Sequence, residues 1–493
     1  MRPDTGVRVA RPLVRDGALM TSTGNIAVPD PLRWPDVAAV PHSPFRAAVA
    51  ARLLRRLAER VPIRLVGGGD AAGPPGAPEL RLHRPAAVYH RLGARGLIGF
   101  GEGYQAGDWD TDDLAGLLTA IAAALRDARL GALRHLRRLR HLPLTRALFR
   151  ARLPRAEENT VDGARRNIHH HYDLSNDMFA LFLDESMTYS SALFPADRPV
   201  RPTADGGVAV ALTPGELAVA PAPGDLAVAA APGDLALTAA PGELAVTAAS
   251  GDLAVAQRNK IDRLLDHSGV GPGSRVLEIG TGWGELAIRA ARRGAAVHTV
   301  TISVEQRDLA ARRVAEAGVN DRVTIELRDY RHIEPADPDG YDAIVSVEMI
   351  EAVGERYWPA YFSTLDRLLA PGGRVGLQAI LVPHDRLRAA RRTYTWIQKY
   401  IFPGGVILST EAIEQLVAGH TRLRVRDSHV FGTHYAATLR LWRERFTANA
   451  AAVAALGFDQ TFRRTWEYYL ASCEAGFTTG HLDVGQFILE PRP

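Results

Sequence analysis

The feature that most constrains the fold is a run of alternating strand and helix patterns after Gln257. Strands are predicted at 275–279, 296–301, 323–327, 343–347 and 374–380, and helices at 260–267, 285–293, 304–317 and 357–369. Strands that alternate with helices in this way form a mostly parallel, doubly wound sheet with helices on both faces. The fold class expected for this part of the chain is therefore α/β and Rossmann-like.

A glycine-rich turn follows the first predicted strand. Gly280, Gly282 and Gly284 allow a tight turn and let a ligand approach the backbone closely, because none of them carries a Cβ. The G-x-G-x-G spacing differs from the dinucleotide pattern G-x-G-x-x-G, and the acidic Glu278 lies within the strand two residues before the turn. Together with the strand-helix ladder, this turn predicts a class I methyltransferase domain that binds S-adenosylmethionine.

The other parts of the cofactor are expected at the carboxyl ends of the next two strands, where ligands bind in such sheets. Thr301 and Gln306 follow the second strand and are predicted to meet the ribose hydroxyls. Asp329 and Tyr330 follow the third strand and are predicted to meet the adenine.

The remaining chain divides by composition. Residues 1–45 lack sustained periodicity and are predicted to form a flexible tail. Residues 46–160 predict a small α+β N-terminal domain that ends in a leucine- and arginine-rich basic helix at 126–155. That helix has two open interpretations, a solvated face or a surface for an anionic membrane. The methyltransferase domain is assigned to 161–202 and 257–493.

A nonapeptide repeat at 203–256 interrupts this domain. Pro or Ser, then Gly, an acidic residue and Leu recur every nine residues from Pro214 to Leu253. Calcium-binding β-rolls need paired glycines, which these units lack. The repeat is predicted to be a disordered insertion that arose as an expanded coding repeat without a function of its own.

Composition sets further bounds. Hydrophobic residues make up 46% and charged residues 23%, with a net charge of +4 and a single cysteine, Cys473. These values, with no apolar run of membrane-spanning length, predict a globular cytoplasmic protein without an internal disulfide. Three consecutive histidines at 169–171 do not predict a metal site, because neighbours in sequence do not converge on one ion.

Several sequence blocks resemble the cyclopropane-fatty-acyl-phospholipid synthase family. They cover about 81–489 apart from the repeat, and lie at 167–177, 187–192, 399–405, 431–435 and 468–473. The resemblance implies methyl transfer from S-adenosylmethionine to the double bond of an unsaturated acyl chain in a membrane phospholipid. It further implies a lipid-binding N-terminal domain, a peripheral position at the inner membrane face and a homodimer as one oligomeric state.

The resemblance also implies site residues. Tyr189 and Ser190 are expected to contact the cofactor. Members of the family hold a bicarbonate base with a Cys, a Glu, a His, a backbone group and a Tyr. The Glu corresponds to Glu351, expected to orient the anion or to remove the proton itself, the backbone group to Ile380 and the Tyr to Tyr435. Ser191 replaces the Cys and Gln378 replaces the His; both can donate to an anion, but Gln378 cannot take a proton.

The product stays open between two outcomes. Methyl transfer to an alkene leaves a carbocation, and loss of a proton from the new methyl closes a cyclopropane, the first interpretation. The alternative is a methylene branch that a separate reductase would saturate. A nucleic-acid methyltransferase is disfavoured, since residues 346–351 lack the Asn/Asp-Pro-Pro-aromatic loop, and a non-catalytic lipid-binding protein is disfavoured by the intact glycine turn.

Overall fold

The computed structural model describes residues 28–69, 71–130, 163, 175–195, 201–202, 208–209, 243–334, 338–390 and 393–493. Four predicted features lie wholly or mostly outside these residues: the first part of the tail (1–27), most of the basic helix (131–155), the three histidines (169–171) and most of the repeat (203–207 and 210–242). Within the described residues, no helix has the length and apolarity needed to cross a bilayer.

The N-terminal part is a small α+β unit, as predicted. Strand β1 (Arg64–Val66) pairs in parallel with β2 (Glu79–Leu82), which pairs antiparallel with β3 (Trp109–Asp110). Around this sheet lie five helices, α1 (Pro35–Ala38), α2 (Pro44–Ala58), α3 (Pro85–Arg95), α4 (Leu97–Gln105) and α5 (Leu114–Leu130). Proline begins α1, α2 and α3, where its missing N–H costs no hydrogen bond.

Residues 28–45 correct the predicted extent of the tail. The Val37 side chain is fully buried, and the buried guanidinium of Arg91 on α3 donates hydrogen bonds to the carbonyl oxygens of Asp36, Val37 and Ala39. A buried guanidinium requires acceptors for its five N–H groups. This part of the chain supplies three of these acceptors, while Asp108 accepts from Nε, and it is therefore packed against the domain, which composition alone did not indicate.

The main sheet has seven strands in the order β11-β12-β10-β9-β6-β7-β8. Its strands are β6 (Arg275–Ile279), β7 (Ala296–Thr301), β8 (Val323–Leu327), β9 (Tyr341–Val347), β10 (Leu369–Leu381), β11 (Leu423–Val430) and β12 (Asp483–Pro491). The five neighbouring strands β10, β9, β6, β7 and β8 pair in parallel. Strand β12 runs antiparallel to both of its neighbours, β10 and β11. This confirms the mostly parallel α/β prediction. A separate antiparallel ribbon joins β4 (Arg201–Pro202) to β5 (Val208–Ala209).

The chain order places a topological switch point between β6 and β9. From β6 the chain continues outward through β7 and β8, then returns to add β9 on the other side of β6. Ligands in open α/β sheets bind at the carboxyl ends of the strands beside such a point. The glycine turn ends β6, and residues 348–351 follow β9, so the fold brings both loops to this edge.

Helix α7 corrects the prediction for the repeat. The sequence pattern assigned 203–256 to a disordered insertion, but α7 runs from Glu243 to His267 and includes the last units of the repeat. Leu253, Ala254 and Ala256 are buried in the core. Leu253 of the last repeat unit and the two alanines after it form a buried apolar face of α7, which the Pro-Gly pairs of the earlier units obscured.

The remaining helices cover the sheet and its carboxyl edge. They are α6 (Asn176–Ala180), α8 (Glu285–Arg292), α9 (Val304–Glu316), α10 (Trp358–Leu368), α11 (His384–Ala390), α12 (Trp396–Tyr400), α13 (Thr410–His420), α14 (Gly432–Ala448), α15 (Ala450–Ala455) and α16 (Gln460–Thr478). Short 3₁₀ turns lie at Tyr330–His332, Ile350–Ala352 and Glu355–Tyr357. One apolar cluster runs from the N-terminal unit through α12 into α14 and α16, so both parts of the chain share a core.

Candidate active site

The turn after β6 has the conformation that its glycines predict. Gly280, Gly282 and Gly284 have φ values of 99°, 51° and 91°, which L side chains rarely adopt. A Cβ at Gly282 would meet no atom within 4 Å, so the turn borders open space. A Cβ at Gly280 would lie 3.1 Å from Cγ of Met349 in the loop after β9, which places the two loops side by side.

Glu278 lies at the base of this turn, almost completely buried. Its carboxylate accepts a hydrogen bond of 2.6 Å from the Thr299 hydroxyl, and Thr299 in turn shares a hydrogen bond with Thr281. It has no cation partner among the described residues, and burial raises the pKa of Glu278 to about 8. An acid held in this way fits a cationic ligand, because a positive charge beside it would restore its ionised form. The open glycine turn and this acid are what S-adenosylmethionine requires.

The structure also places the other predicted cofactor residues at this edge. Thr301 donates a hydrogen bond of 2.9 Å to the side-chain oxygen of Gln306, and both are buried at the end of β7. Asp329 is paired with Arg331 at 2.6 Å, which lowers the pKa of the Asp329 carboxyl against the effect of its burial. The Tyr330 ring packs edge-on against Tyr361 in the core, and its contact with the adenine stays a prediction.

A carboxylate that the sequence analysis did not single out, that of Glu348, lies at the centre of the candidate site. Its Oε1 accepts hydrogen bonds from the Ser191 backbone N–H at 2.9 Å and from the Gln378 amide at 2.8 Å. Its Oε2 accepts a hydrogen bond of 2.7 Å from the Tyr435 hydroxyl. Three of the positions expected to hold bicarbonate therefore hold this side chain. The Ser191 hydroxyl departs from that expectation, because it donates to the Ala192 carbonyl.

Glu351 is the second buried carboxyl of the site. Its Oε1 accepts a hydrogen bond of 2.5 Å from the backbone N–H of Ile380, the group expected to hold bicarbonate, while its buried Oε2 has no hydrogen-bond partner among the described residues. Burial, assisted by the negative charge of Glu348, raises the pKa of Glu351 to about 8.

The two carboxyls therefore carry different charges near neutral pH. Burial also raises the pKa of Glu348, but the positive charge of Lys260 and the hydrogen bonds from Tyr435, Gln378 and Ser191 oppose this effect. Glu351 has one backbone donor and a negative neighbour. When two buried acids interact, the better-solvated one ionises first and keeps its neighbour protonated. We assign the negative charge to Glu348 and the proton to Glu351.

Tyr189 and Ser190 lie beside this pair in the segment before α7. The hydroxyls of Tyr189 and Tyr469 share a hydrogen bond of 2.7 Å, and the Tyr189 ring packs on Trp442. Ser190 accepts a hydrogen bond of 2.6 Å from the buried Lys260 ammonium. Both residues are thus at the site, although their contacts in this structure are with other side chains.

The sequence contained one signal that could have identified Glu348. It is the first of two glutamates three residues apart, directly after a parallel strand, where such folds place their chemistry. The family pattern directed attention to the second. The contacts of Glu348 depend on the approach of three distant segments, those of Ser191, Gln378 and Tyr435, and spacing along the chain does not give them.

Fold and site together define an enzyme of the class I methyltransferases, with S-adenosylmethionine as methyl donor. A family model described as mycolic acid cyclopropane synthetase matches residues 160–204 and 245–487, more than half of the chain. The chain belongs to this family and is an S-adenosylmethionine-dependent C-methyltransferase of the lipid-modifying type. The unmatched residues between the two stretches coincide with most of the repeat.

Two relatives cover nearly the full length. The tuberculostearic acid methyltransferase UfaA1 of Mycobacterium tuberculosis (strain ATCC 25618 / H37Rv) is 49% identical over 476 residues, covering 95% of this chain and 98% of the relative. The cyclopropane-fatty-acyl-phospholipid synthase of Escherichia coli (strain K12) is 30% identical over 441 residues, covering 89% and 92%.

A solved structure gives the same assignment. The crystal structure of mycolic acid cyclopropane synthase CmaA1 complexed with SAH and CTAB superposes with a TM-score of 0.50 at 27% identity, covering 66% of this chain and 97% of that chain. The similarity therefore spans nearly all of the solved structure and about two thirds of this chain.

Proposed function

We propose that this enzyme methylates the double bond of an unsaturated fatty-acyl chain in a phospholipid and releases a methylene-branched acyl chain. The observation that carries the proposal is the position of the Glu348 carboxylate among the donors expected to hold bicarbonate. The 49% identity to a tuberculostearic acid methyltransferase, a methyl-branching enzyme, supports it. The cyclopropane product becomes the second candidate, supported by the 30% identity to the E. coli enzyme.

The proposed reaction needs no reactant other than the unsaturated acyl chain and S-adenosylmethionine. S-adenosylmethionine supplies an electrophilic methyl group, so a carbon–carbon bond forms at one alkene carbon as the sulfur–methyl bond breaks. The positive charge then lies on the other alkene carbon. A hydride shift from the methylated carbon moves this charge next to the new methyl, and loss of one methyl proton gives the methylene group. Loss of the same proton before the shift would close the cyclopropane instead.

Glu348 is the group that takes this proton. Its Oε2 receives a single hydrogen bond, from Tyr435, and keeps a lone pair that can accept a proton. Burial raises the pKa of Tyr435 well above its usual value, so this phenol remains a donor. A general base fixed by hydrogen bonds contributes about 10²–10⁴-fold to a rate.

The surroundings of the base protect the cation from water. Tyr435 stacks against Phe477 with ring centroids 4.4 Å apart and contacts Trp442 edge-on. Aromatic faces also stabilise a nearby positive charge. A cation that survives long enough to undergo a hydride shift needs both conditions, since water would otherwise capture it.

A fixed carboxylate has a further consequence for the expected bicarbonate. Bicarbonate at this position would lie in a buried site beside the negative charge of Glu348, which repels it. The three hydrogen-bond donors expected to hold it already donate to Glu348. Turnover should therefore not depend on bicarbonate.

Product analysis tests the proposal. Purified enzyme, S-adenosylmethionine with a deuterated methyl group and vesicles of monounsaturated phospholipid should give a lipid whose fatty acid gains a methylene branch that ozone cleaves to a ketone. A cyclopropane resists ozone, so a purely ozone-resistant product would overturn the branching assignment. The assay is repeated after removal of carbon dioxide, and an unchanged rate is expected. Reduction of the product by a separate reductase would give the saturated methyl branch.

A further inference from the structure

Lys260 on α7 is a buried cation without an ion-pair partner in the part of the chain that the structure describes. Its side chain is 0% exposed, and its ammonium makes one hydrogen bond, 2.6 Å long, to the Ser190 hydroxyl. Among the described residues no carboxylate lies within ion-pair distance of it. A buried charge without a partner is strongly unfavourable unless charges nearby compensate it.

The use of lysine at this position is itself informative. The chain has 59 lysines and arginines, and only two of them, Lys260 and Lys399, are lysines. A compact ammonium fits where a guanidinium would need more acceptors and more space, and its pKa responds readily to burial. Burial lowers the pKa of Lys260 to about 8, opposed by the negative charges of Glu348 and Asp184, so the ammonium remains charged at neutral pH.

A network of hydrogen bonds joins Lys260 to the residues around Glu348. Gln257, one turn earlier on α7, donates to the carbonyl oxygens of Thr188 and Ser190 at 3.3 and 2.9 Å. Gln486 on β12 donates to the Lys260 carbonyl at 2.9 Å and to the Gln378 side-chain oxygen at 3.0 Å.

Two ends of this network reach Glu348 itself. One is the backbone N–H of Ser191, next to Ser190, and the other is the amide of Gln378. Lys260 is thus connected to both groups that donate to Oε1 of Glu348, through Ser190 on one side and through Gln486 on the other.

We propose that Lys260 is a positioning residue for methyl transfer, whose ammonium fixes the Thr188–Ser191 segment and keeps the Glu348 carboxylate ionised. This rests on the proposed function, in which Glu348 is the base. The titratable groups that face the pair are Asp184 from the segment before α7, Glu351 from the 3₁₀ turn after β9 and Tyr435 from α14. Among the described residues, Lys260 is the cation whose positive charge favours the ionised form of Glu348.

The pH profile of Lys260→Met tests this role. Loss of the cation makes the ionised form of Glu348 less favourable, which raises its pKa, so the acid limb of kcat should move to higher pH by about one unit. On the acid side of the limb kcat should fall about tenfold, with a smaller fall at pH 7, while KM and the affinity for S-adenosylmethionine change little. Lys260→Gln keeps a hydrogen-bond donor for the Ser190 hydroxyl without the charge, so its acid limb should move as it does in Lys260→Met. Lys399→Met is the matched control, because the contacts of Lys399 are with Glu102 and Asp36; its acid limb should not move.

A double variant separates the two proposals. In a Glu348→Gln background, adding Lys260→Met should cause no further loss, since the lysine acts through the carboxylate. If Lys260→Met lowers kcat at every pH equally, with an unmoved acid limb, the positioning role is wrong even where Glu348→Gln is inactive. If Glu348→Gln has wild-type kcat, the proposed function of that carboxylate fails. Binding of S-adenosylmethionine and a thermal melt show which variants are folded.

Discussion

At Glu348 the backbone has a φ of 48°, in the left-handed region that a residue other than glycine enters at a cost of roughly 1–2 kcal/mol. Strain of this kind persists where surrounding contacts fix the residue, and it is concentrated at functional sites. The contacts here are the three donors to the carboxylate. The conformation turns the side chain away from the path of β9 and into the site, where its neighbour Glu351 also lies.

Substitution of the two acids should therefore have unequal effects. Glu348→Gln keeps the shape and removes the ionised base, so we expect kcat to fall by about a hundredfold or more with unchanged cofactor affinity. Glu351→Gln replaces a carboxyl that is already neutral at pH 7, since its pKa is raised to about 8, and should cost less than about tenfold. Single-turnover kinetics on vesicles measures both. The reverse order would assign the base to Glu351, as the family resemblance first suggested.

The glycine turn gives a second prediction for a single residue. Gly282→Val forces a β-branched side chain into a φ of 51° and places it in the open space of the turn, so the affinity for S-adenosylmethionine should fall by more than about tenfold. Gly271→Val is the control, because a Cβ there also meets no atom within 4 Å but the backbone needs no positive φ. Calorimetry that gave wild-type affinity for Gly282→Val would contradict the cofactor site.

Elements differ in how far the sequence predicts them. Strands β6, β7 and β8 have the predicted bounds, because a buried parallel strand has a short local apolar pattern between turn residues. Strand β12 inserts antiparallel between β10, which lies more than a hundred residues earlier in the chain, and β11, and no local pattern contains these pairings. The start of α7 was missed for a similar reason, since burial against a distant core decides whether the last repeat units are helical.

The repeat offers a test at this scale. Deletion of residues 210–242 removes the part that lies between the two stretches matched by the family model and leaves α7 whole. Loop length affects closure entropy only slowly, at about 0.6 kcal/mol per doubling, so turnover and the unfolding midpoint should remain close to wild type. A matched deletion of 243–250, within α7, should lower both, because this helix carries Gln257 and Lys260. A large loss of kcat in the first deletion, with the protein still folded, would give the repeat a function.

Across the whole molecule, the N-terminal unit and the methyltransferase domain meet at a fully buried acid, Glu102 on α4. Its carboxylate accepts hydrogen bonds from Arg95 at 2.7 Å, from Lys399 at 2.7 Å and from the Tyr400 hydroxyl at 2.9 Å. Lys399 and Tyr400 belong to α12. The segment after α12 connects this helix to the candidate site. The Gln398 side chain on α12 donates to the Gly405 carbonyl, and the next residue, Val406, donates its backbone N–H to the Glu351 carbonyl.

This connection predicts that the two parts are coupled in stability and in catalysis. Glu102→Gln leaves two partly buried cations, Arg95 and Lys399, without the fully buried carboxylate that they share, and removal of one member of a buried ion pair costs about 3–5 kcal/mol. Asp36 still pairs with both cations, so the lower end of that range is expected. The urea midpoint should fall, and kcat should fall with it because α12 no longer fixes the Gly405 and Val406 backbone, while the glycine turn keeps its affinity for S-adenosylmethionine. Asp112→Asn is the control: this carboxylate is an exposed partner of Arg81, so the urea midpoint should stay close to that of the wild type. If Glu102→Gln lost stability but retained full kcat on vesicles, the N-terminal unit would be a structural support only, with no part in positioning the acceptor side of the site.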